Sequence, residues 1–166
     1  MLAVLVYVAA IVAANLTVAA FGPWVSPINA FLLIGLDLAL RDRLHEQWQG
    51  KRLWPRMLAL IALAGAVSWL LNPAAGKIAL ASVVAFCAAG LVDTMVYQLL
   101  AGRPFLQRSN GSNVAAALTD SLIFPTLAFG GLMPGIVAMQ FAAKTLGGGL
   151  WSLILWRMSP TRRTPA

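Results

Sequence analysis

Residues 2–21 read LAVLVYVAAIVAANLTVAAF, an uncharged stretch as long as the roughly 20 residues a helix needs to cross a bilayer. A helix on the surface of a soluble domain would carry a polar face, and here only Tyr7, Asn15 and Thr17 interrupt the apolar run. Working outward, comparable runs follow at 28–45, 53–71, 78–100, 114–131 and 135–156, bounded by charged residues or by Gly, Pro and Asn. The second is apolar only to Leu40, so it either extends through Arg41 to His45 to reach full length or is partly re-entrant. The connection around Gly22, Pro23 and Pro27, that around Asn72, Pro73 and Gly76, and that around Gly130, Gly131 and Pro134 are short and almost without charge. The pattern predicts an all-α integral membrane protein: about six transmembrane helices in one compact bundle over residues 1–158, then a cytoplasmic tail at 159–166.

Composition agrees. Of 166 residues, 60% are hydrophobic and 10% charged, against about 45–50% and about 25% in a soluble globular domain. Mean hydropathy is +0.82. The net charge of +7 comes from 12 basic and 5 acidic residues. Arg41, Arg43, Lys51, Arg52 and Arg56 fall between runs two and three, Arg103 and Arg108 between four and five, and Arg157, Arg162 and Arg163 after six. Only Lys77 falls on the other side, and Lys144 lies within a run. By the positive-inside rule both termini face the cytoplasm. Membrane lipid therefore accounts for the basic charge, and nucleic acid is not an expected partner. Trp24, Trp48, Trp54 and Trp151 or Trp156 lie near span ends, as interfacial anchors do.

The first run lacks a basic leader segment and is read as a retained span, not a signal peptide. Cys87 has no partner cysteine. His45, between Asp42 and Glu46, is read as solvated at the membrane surface. No Walker A, HExxH or G-x-S-x-G sequence occurs, so neither a cofactor nor a metal is expected, and the chain is not read as an enzyme. Asn15-Leu-Thr17 and Asn110-Gly-Ser112 match the glycosylation sequon by accident of composition.

Three of the five acids, Asp37, Asp93 and Asp120, lie inside apolar runs together with Lys144. Each costs about 2.5–3.5 kcal/mol to insert, so they are expected to face the bundle interior, a polar cavity or one another. At about 1.5 Å per residue, Asp37 and Lys144 come out near the midplane, with Asp120 and Asp93 nearer the cytoplasmic end, and a pocket is expected from midplane toward the cytoplasm. Helical spacing places Arg41 one turn after Asp37 and Lys144 one turn after Gln140. Asp37 with Arg41 reads as a pair along one helix, either a helix-end ion pair that aids insertion or part of a site. Asp93, Asp120 and Lys144 read either as a structural salt bridge or as a ligand site, since one lysine does not satisfy both acids. Ser109 to Asn113 reads as a turn capping the fifth helix, with Gly111 left-handed. Asn15 is a candidate for ligand contact or for an interhelical hydrogen bond. Ala9, Ala10, Ala13 and Ala14 allow close helix approach, within the bundle or to another subunit.

So placed, the polar residues resemble those of the queuosine precursor transporter family, within the broader vitamin uptake transporter group. The resemblance runs through Ala14-Asn15-Leu16, Leu36-Asp37 to Arg41, Gly90 to Asp93, Asn110-Gly-Ser112, Thr119-Asp120-Ser121 to Phe124, Ala128-Phe129, and Phe141 to Lys144. It implies import of 7-cyano-7-deazaguanine or 7-aminomethyl-7-deazaguanine across the cell inner membrane, with Asn15, Asp37, Arg41, Asp93, Asn110, Ser112, Asp120, Gln140 and Lys144 as the substrate-binding set. The chemistry is compatible: one carboxylate accepts from the N1–H and the exocyclic amine of a guanine-like edge, and Lys144, Gln140 or Asn15 donates to the carbonyl. Phe124 or Phe129 is available to stack on the base. The shortness of the chain favours a homo-oligomer. Two other readings are carried forward: a substrate-binding subunit of an energy-coupling-factor-type vitamin transporter, and an intramembrane enzyme using paired carboxylates.

Overall fold

The computed structural model describes residues 2–48 and 52–158, apart from the side chains at positions 42, 45, 46, 53 and 54. The expected tail at 159–166, and the surroundings of His45 and Trp54, lie outside the described residues. Among the described residues 92% are helical, and they form six helices. Helix α1 is Leu2–Phe21. Helix α2 is composite: a 3-10 turn Pro23–Val25, a helical turn Ser26–Asn29, a wide π-helical segment Ala30–Ile34 and a regular helix Gly35–Trp48. Then come α3 (Leu53–Leu71), α4 (Gly76–Leu99, preceded by the 3-10 turn Pro73–Ala75), α5 (Phe105–Phe129) and α6 (Pro134–Met158).

Several expected boundaries shift. Prolines at 23, 73 and 134 start helices instead of only separating them, because the first turn needs no proline N–H and the fixed φ suits it. The largest shift is in α5, which begins at Phe105 and not at Val114. Ser109, Asn110, Gly111, Ser112 and Asn113 are thus helical and do not form a capping turn. Their burial explains the difference: Ser109, Ser112, Asn113, Ala116, Ala117, Asp120 and Ser121 form one buried face at helical spacing. Among the described glycines, positive φ occurs instead at Gly22 (76°) and Gly130 (81°), where α1 and α5 end.

The helices close a ring in the order α1, α3, α4, α5, α6, α2 and back to α1. The connections near 22, 72 and 130 gather at one charge-poor end and those after α2 and α4 at the other, basic end. Small residues allow the close approaches: Ala64, Ala75, Ala85, Ala116 and Ala117 have no exposed surface. The tightest crossing joins α2 to α6. A methyl group on Gly35 would lie 2.7 Å from the Gly147 carbonyl carbon, and one on Gly147 would overlap the Phe31 carbonyl oxygen.

The molecule is apolar outside and polar within. Leu2, Phe21, Leu70, Leu80, Leu99 and Leu146 are more than 60% exposed, whereas Asn15, Asp37, Arg41, Asp93, Gln140 and Lys144 are buried. Water would penalise both halves of that arrangement, and hydrocarbon favours the outer one. Three helical stretches, Leu2–Phe21, Pro23–Arg41 and Pro73–Leu99, are long and apolar enough to cross a membrane, and Pro55–Leu71 is a shorter apolar helix. Helices α5 and α6 have 25 residues each, about 37 Å, and lose mean hydropathy to the polar residues they turn inward. This is an all-α membrane bundle.

Candidate functional site

The polar interior is built in two layers. Asp120 lies nine residues before the end of α5 and Lys144 ten after the start of α6, so each is about 14–15 Å from the charge-poor end and the two meet at mid-helix. The Lys144 ammonium donates to Asp120 Oδ2 at 2.5 Å, Gln140 Oε1 at 2.7 Å and Ser121 Oγ at 3.2 Å. Those three bonds use all three of its donors. Gln140 Nε2 donates onward to Ser26 Oγ at 3.0 Å, and the Ser26 hydroxyl to the Pro23 carbonyl at 2.5 Å. The other Asp120 oxygen, Oδ1, is buried with no hydrogen-bond partner. Pro125 removes the amide that would bond the Ser121 carbonyl, loosening α5 beside the pair.

Across the interior, Asn15 joins three helices. Its amide donates to Ser68 Oγ on α3 at 3.1 Å and its carbonyl accepts from Ser82 Oγ on α4 at 2.5 Å. One N–H and one lone pair of Asn15 remain after these bonds. Asn29 Nδ2 donates to Thr17 Oγ1 at 2.7 Å and to the Ala14 carbonyl at 3.3 Å, tying α2 to α1.

Between these groups lies a cavity lined by Asn15, Ser26, Asn29, Ser82, Asp120, Gln140 and Lys144, with Ala14, Val18, Ala30, Ile34, Phe86 and Phe124 as its apolar wall. Its volume is about 30 Å³, roughly two waters' worth and well below the range for small-molecule sites. A bicyclic guest therefore requires side chains to move apart. The cavity runs from mid-helix toward the charge-poor end, the reverse of the expected direction. The cause is the early start of α5, which moves Asp120 away from the basic end, together with the π segment, whose Ala30 and Ile34 line the cavity.

The second layer is nearer the basic end. Asp37 and Arg41 do lie one turn apart, but the ion pair Arg41 makes is across the bundle, Nε to Asp93 Oδ2 at 3.4 Å. Helix α4 brings Asp93 to within six residues of its basic end, opposite the Arg41 turn of α2. Both oxygens of Asp37 are buried without a hydrogen-bond partner, and the residue has no exposed surface. Ser109 Oγ is 3.1 Å from Ser152 Oγ, and Asn113 Nδ2 donates to Ser109 Oγ at 3.4 Å.

Of the nine candidate residues, Asn15, Asp120, Gln140 and Lys144 converge on the cavity, while Asp37, Arg41 and Asp93 form the adjoining layer. Asn110 is exposed on α5, and the Ser112 hydroxyl bonds the Ser109 carbonyl one turn back, so neither lines the cavity. Phe124 lines it; Phe129 instead packs edge-on against Phe124, ring centres 5.9 Å apart. Sequence reasoning passed over Ser26, Asn29 and Ser82. Ser26, Asn29 and Ala30 share a helical face, a signal hidden because 22–27 reads as a breaker.

An apolar-outside helical ring enclosing a hydrogen-bonding cavity defines an α-helical membrane protein suited to holding a small polar guest within the bilayer. The chain belongs to the vitamin uptake transporter family: the family model described as "Putative vitamin uptake transporter" matches residues 2–155. It is thus a membrane transporter. No curated protein and no solved structure matches the chain.

Proposed function

We propose that this protein imports a queuosine precursor, 7-cyano-7-deazaguanine or 7-aminomethyl-7-deazaguanine, across the cell inner membrane. The observation that carries the reading is the unpartnered Asp120 Oδ1 in a cavity with Gln140 and Asn15. A guanine-like edge presents N–H donors beside a carbonyl. Asp120 accepts from the donors, and the remaining N–H groups of Gln140 and Asn15 donate to the carbonyl. Lys144, with its donors engaged, acts by holding the Asp120 carboxylate in place. Phe124 and Phe86 supply apolar walls for the flat base. A buried site of this kind rejects analogues that leave its polar groups unpaired. The family supports transport rather than catalysis. In this reading the basic end faces the cytoplasm and the cavity opens toward the outside.

The test is the queuosine content of tRNA in a strain unable to make the precursor, supplied with it externally. The protein should restore queuosine, and Asp120→Asn should abolish rescue at equal membrane abundance. Unchanged rescue by that variant would remove Asp120 from the site. One observation suits the second reading, a binding subunit for separate energising components: Ala9 and Ala20 on α1 are exposed small residues where another subunit could approach. Rescue in a host without such components excludes it.

A further inference from the structure

The five buried Asp, Arg and Lys side chains, among the described residues, do not balance in charge. Asp37, Asp93 and Asp120 face only Arg41 and Lys144. Asp93 is matched by Arg41 and Asp120 by Lys144, which leaves Asp37 in excess. The geometry singles out the same residue. Asp37 has no exposed surface, and neither carboxylate oxygen has a hydrogen-bond partner. The groups facing it are Tyr7 on α1, Arg41 one turn on in α2, Asp93 on α4 through Arg41, and Asp120 on α5, itself paired to Lys144 on α6. Both cations make their ion pairs with other acids, so a charge on Asp37 has only the field of Arg41, which is shared with Asp93, to offset it. An unpaired buried ion is removed by binding a proton.

We propose that Asp37 carries one exchangeable proton and couples uptake to the proton gradient. In this cycle an O–H bond forms on the Asp37 carboxylate with a proton from the side where substrate is taken up, and breaks on the other side. One excess carboxylate sets the ratio at one proton per neutral substrate. Asp37 lies in the layer adjoining the cavity and within electrostatic reach of Asp120, so its charge is felt at the site without its touching the guest. The proposal rests on the transporter reading above.

Two measurements separate its failure from failure of that reading. In infrared spectra of the purified protein, the C=O stretch of a protonated carboxylic acid should be present at neutral pH and missing from Asp37→Asn. Its absence from the wild type, or its persistence in the variant, overturns the assignment whatever the substrate is. In proteoliposomes with the membrane potential clamped, an inside-alkaline gradient should accumulate labelled 7-cyano-7-deazaguanine, up to about tenfold per pH unit. Asp37→Asn should lose accumulation yet retain exchange of internal for external substrate, which also shows that it is folded. Gradient-driven accumulation by the variant, or wild-type accumulation insensitive to a protonophore, overturns coupling through Asp37. No uptake or exchange by the wild type overturns the substrate reading, and with it coupled uptake, while the infrared result still decides the proton site.

Discussion

At the scale of single residues, the interior separates groups that hold the bundle from groups that meet a guest, and paired substitutions tell them apart. Lys144 makes hydrogen bonds to Ser121 and Gln140 besides the ion pair to Asp120. Lys144→Met strands a buried carboxylate and is expected to cost about 3–5 kcal/mol, read as a lowered unfolding temperature in detergent. Adding Asp120→Leu removes the stranded charge, so the double variant should regain most of the stability yet transport nothing. If it remains as unstable as the single variant, the pair is not the cause of the loss. Asn15→Ala should cost about 1–3 kcal/mol, because it leaves Ser68 and Ser82 short of partners; an unchanged unfolding temperature would contradict its bridging role.

At the scale of elements, the contact between α2 and α6 depends on glycine. Gly147→Ala drives a methyl group into the Phe31 backbone, which cannot swing aside as a side chain would. A loss of about 1–3 kcal/mol is expected, with transport falling because the π segment lines the cavity. Gly90→Ala is the control: nothing lies within 4 Å of the added methyl group, so stability should be unchanged or up by under about 1 kcal/mol. Similar unfolding temperatures for the two variants would refute the close crossing. The legibility of the elements follows the same physics. Long apolar runs such as 2–21 and 78–99 are plain in the sequence because lipid demands apolar side chains on the outer face. The start of α5 is not plain, since its buried face is itself polar and small, and Ser109 to Asn113 has the composition of a turn. Asp120 was consequently placed about one-third of a helix too near the basic end, although the repeat of small and polar residues at three- and four-residue spacing was present. The partner of Arg41 was equally hidden: spacing within one helix suggests Asp37, and only the ring closure brings Asp93 across.

At the scale of the whole molecule, one asymmetry organises the rest: charge-poor connections at the end toward which the cavity runs, basic residues at the other. With the basic end cytoplasmic, a cysteine at exposed Leu132 in a Cys87→Ser background should react from outside with a membrane-impermeant maleimide. One at exposed Arg103 should react only after permeabilisation. The opposite labelling pattern would invert the orientation, and the cavity would then open inward. The candidate site was legible as a set of residue types whose burial is costly, and four of its members meet as a cavity wall. Which end it faces was not legible, because that depends on where each helix begins.

The most direct test of the central claim is equilibrium binding of labelled 7-cyano-7-deazaguanine to the purified protein, beside its Asp120→Asn variant. Saturable binding by the wild type, competed by guanine-edged analogues but not by analogues lacking the exocyclic amine, and lost in the variant, is the predicted result. No binding by a folded wild type, or equal binding by the variant, would contradict it.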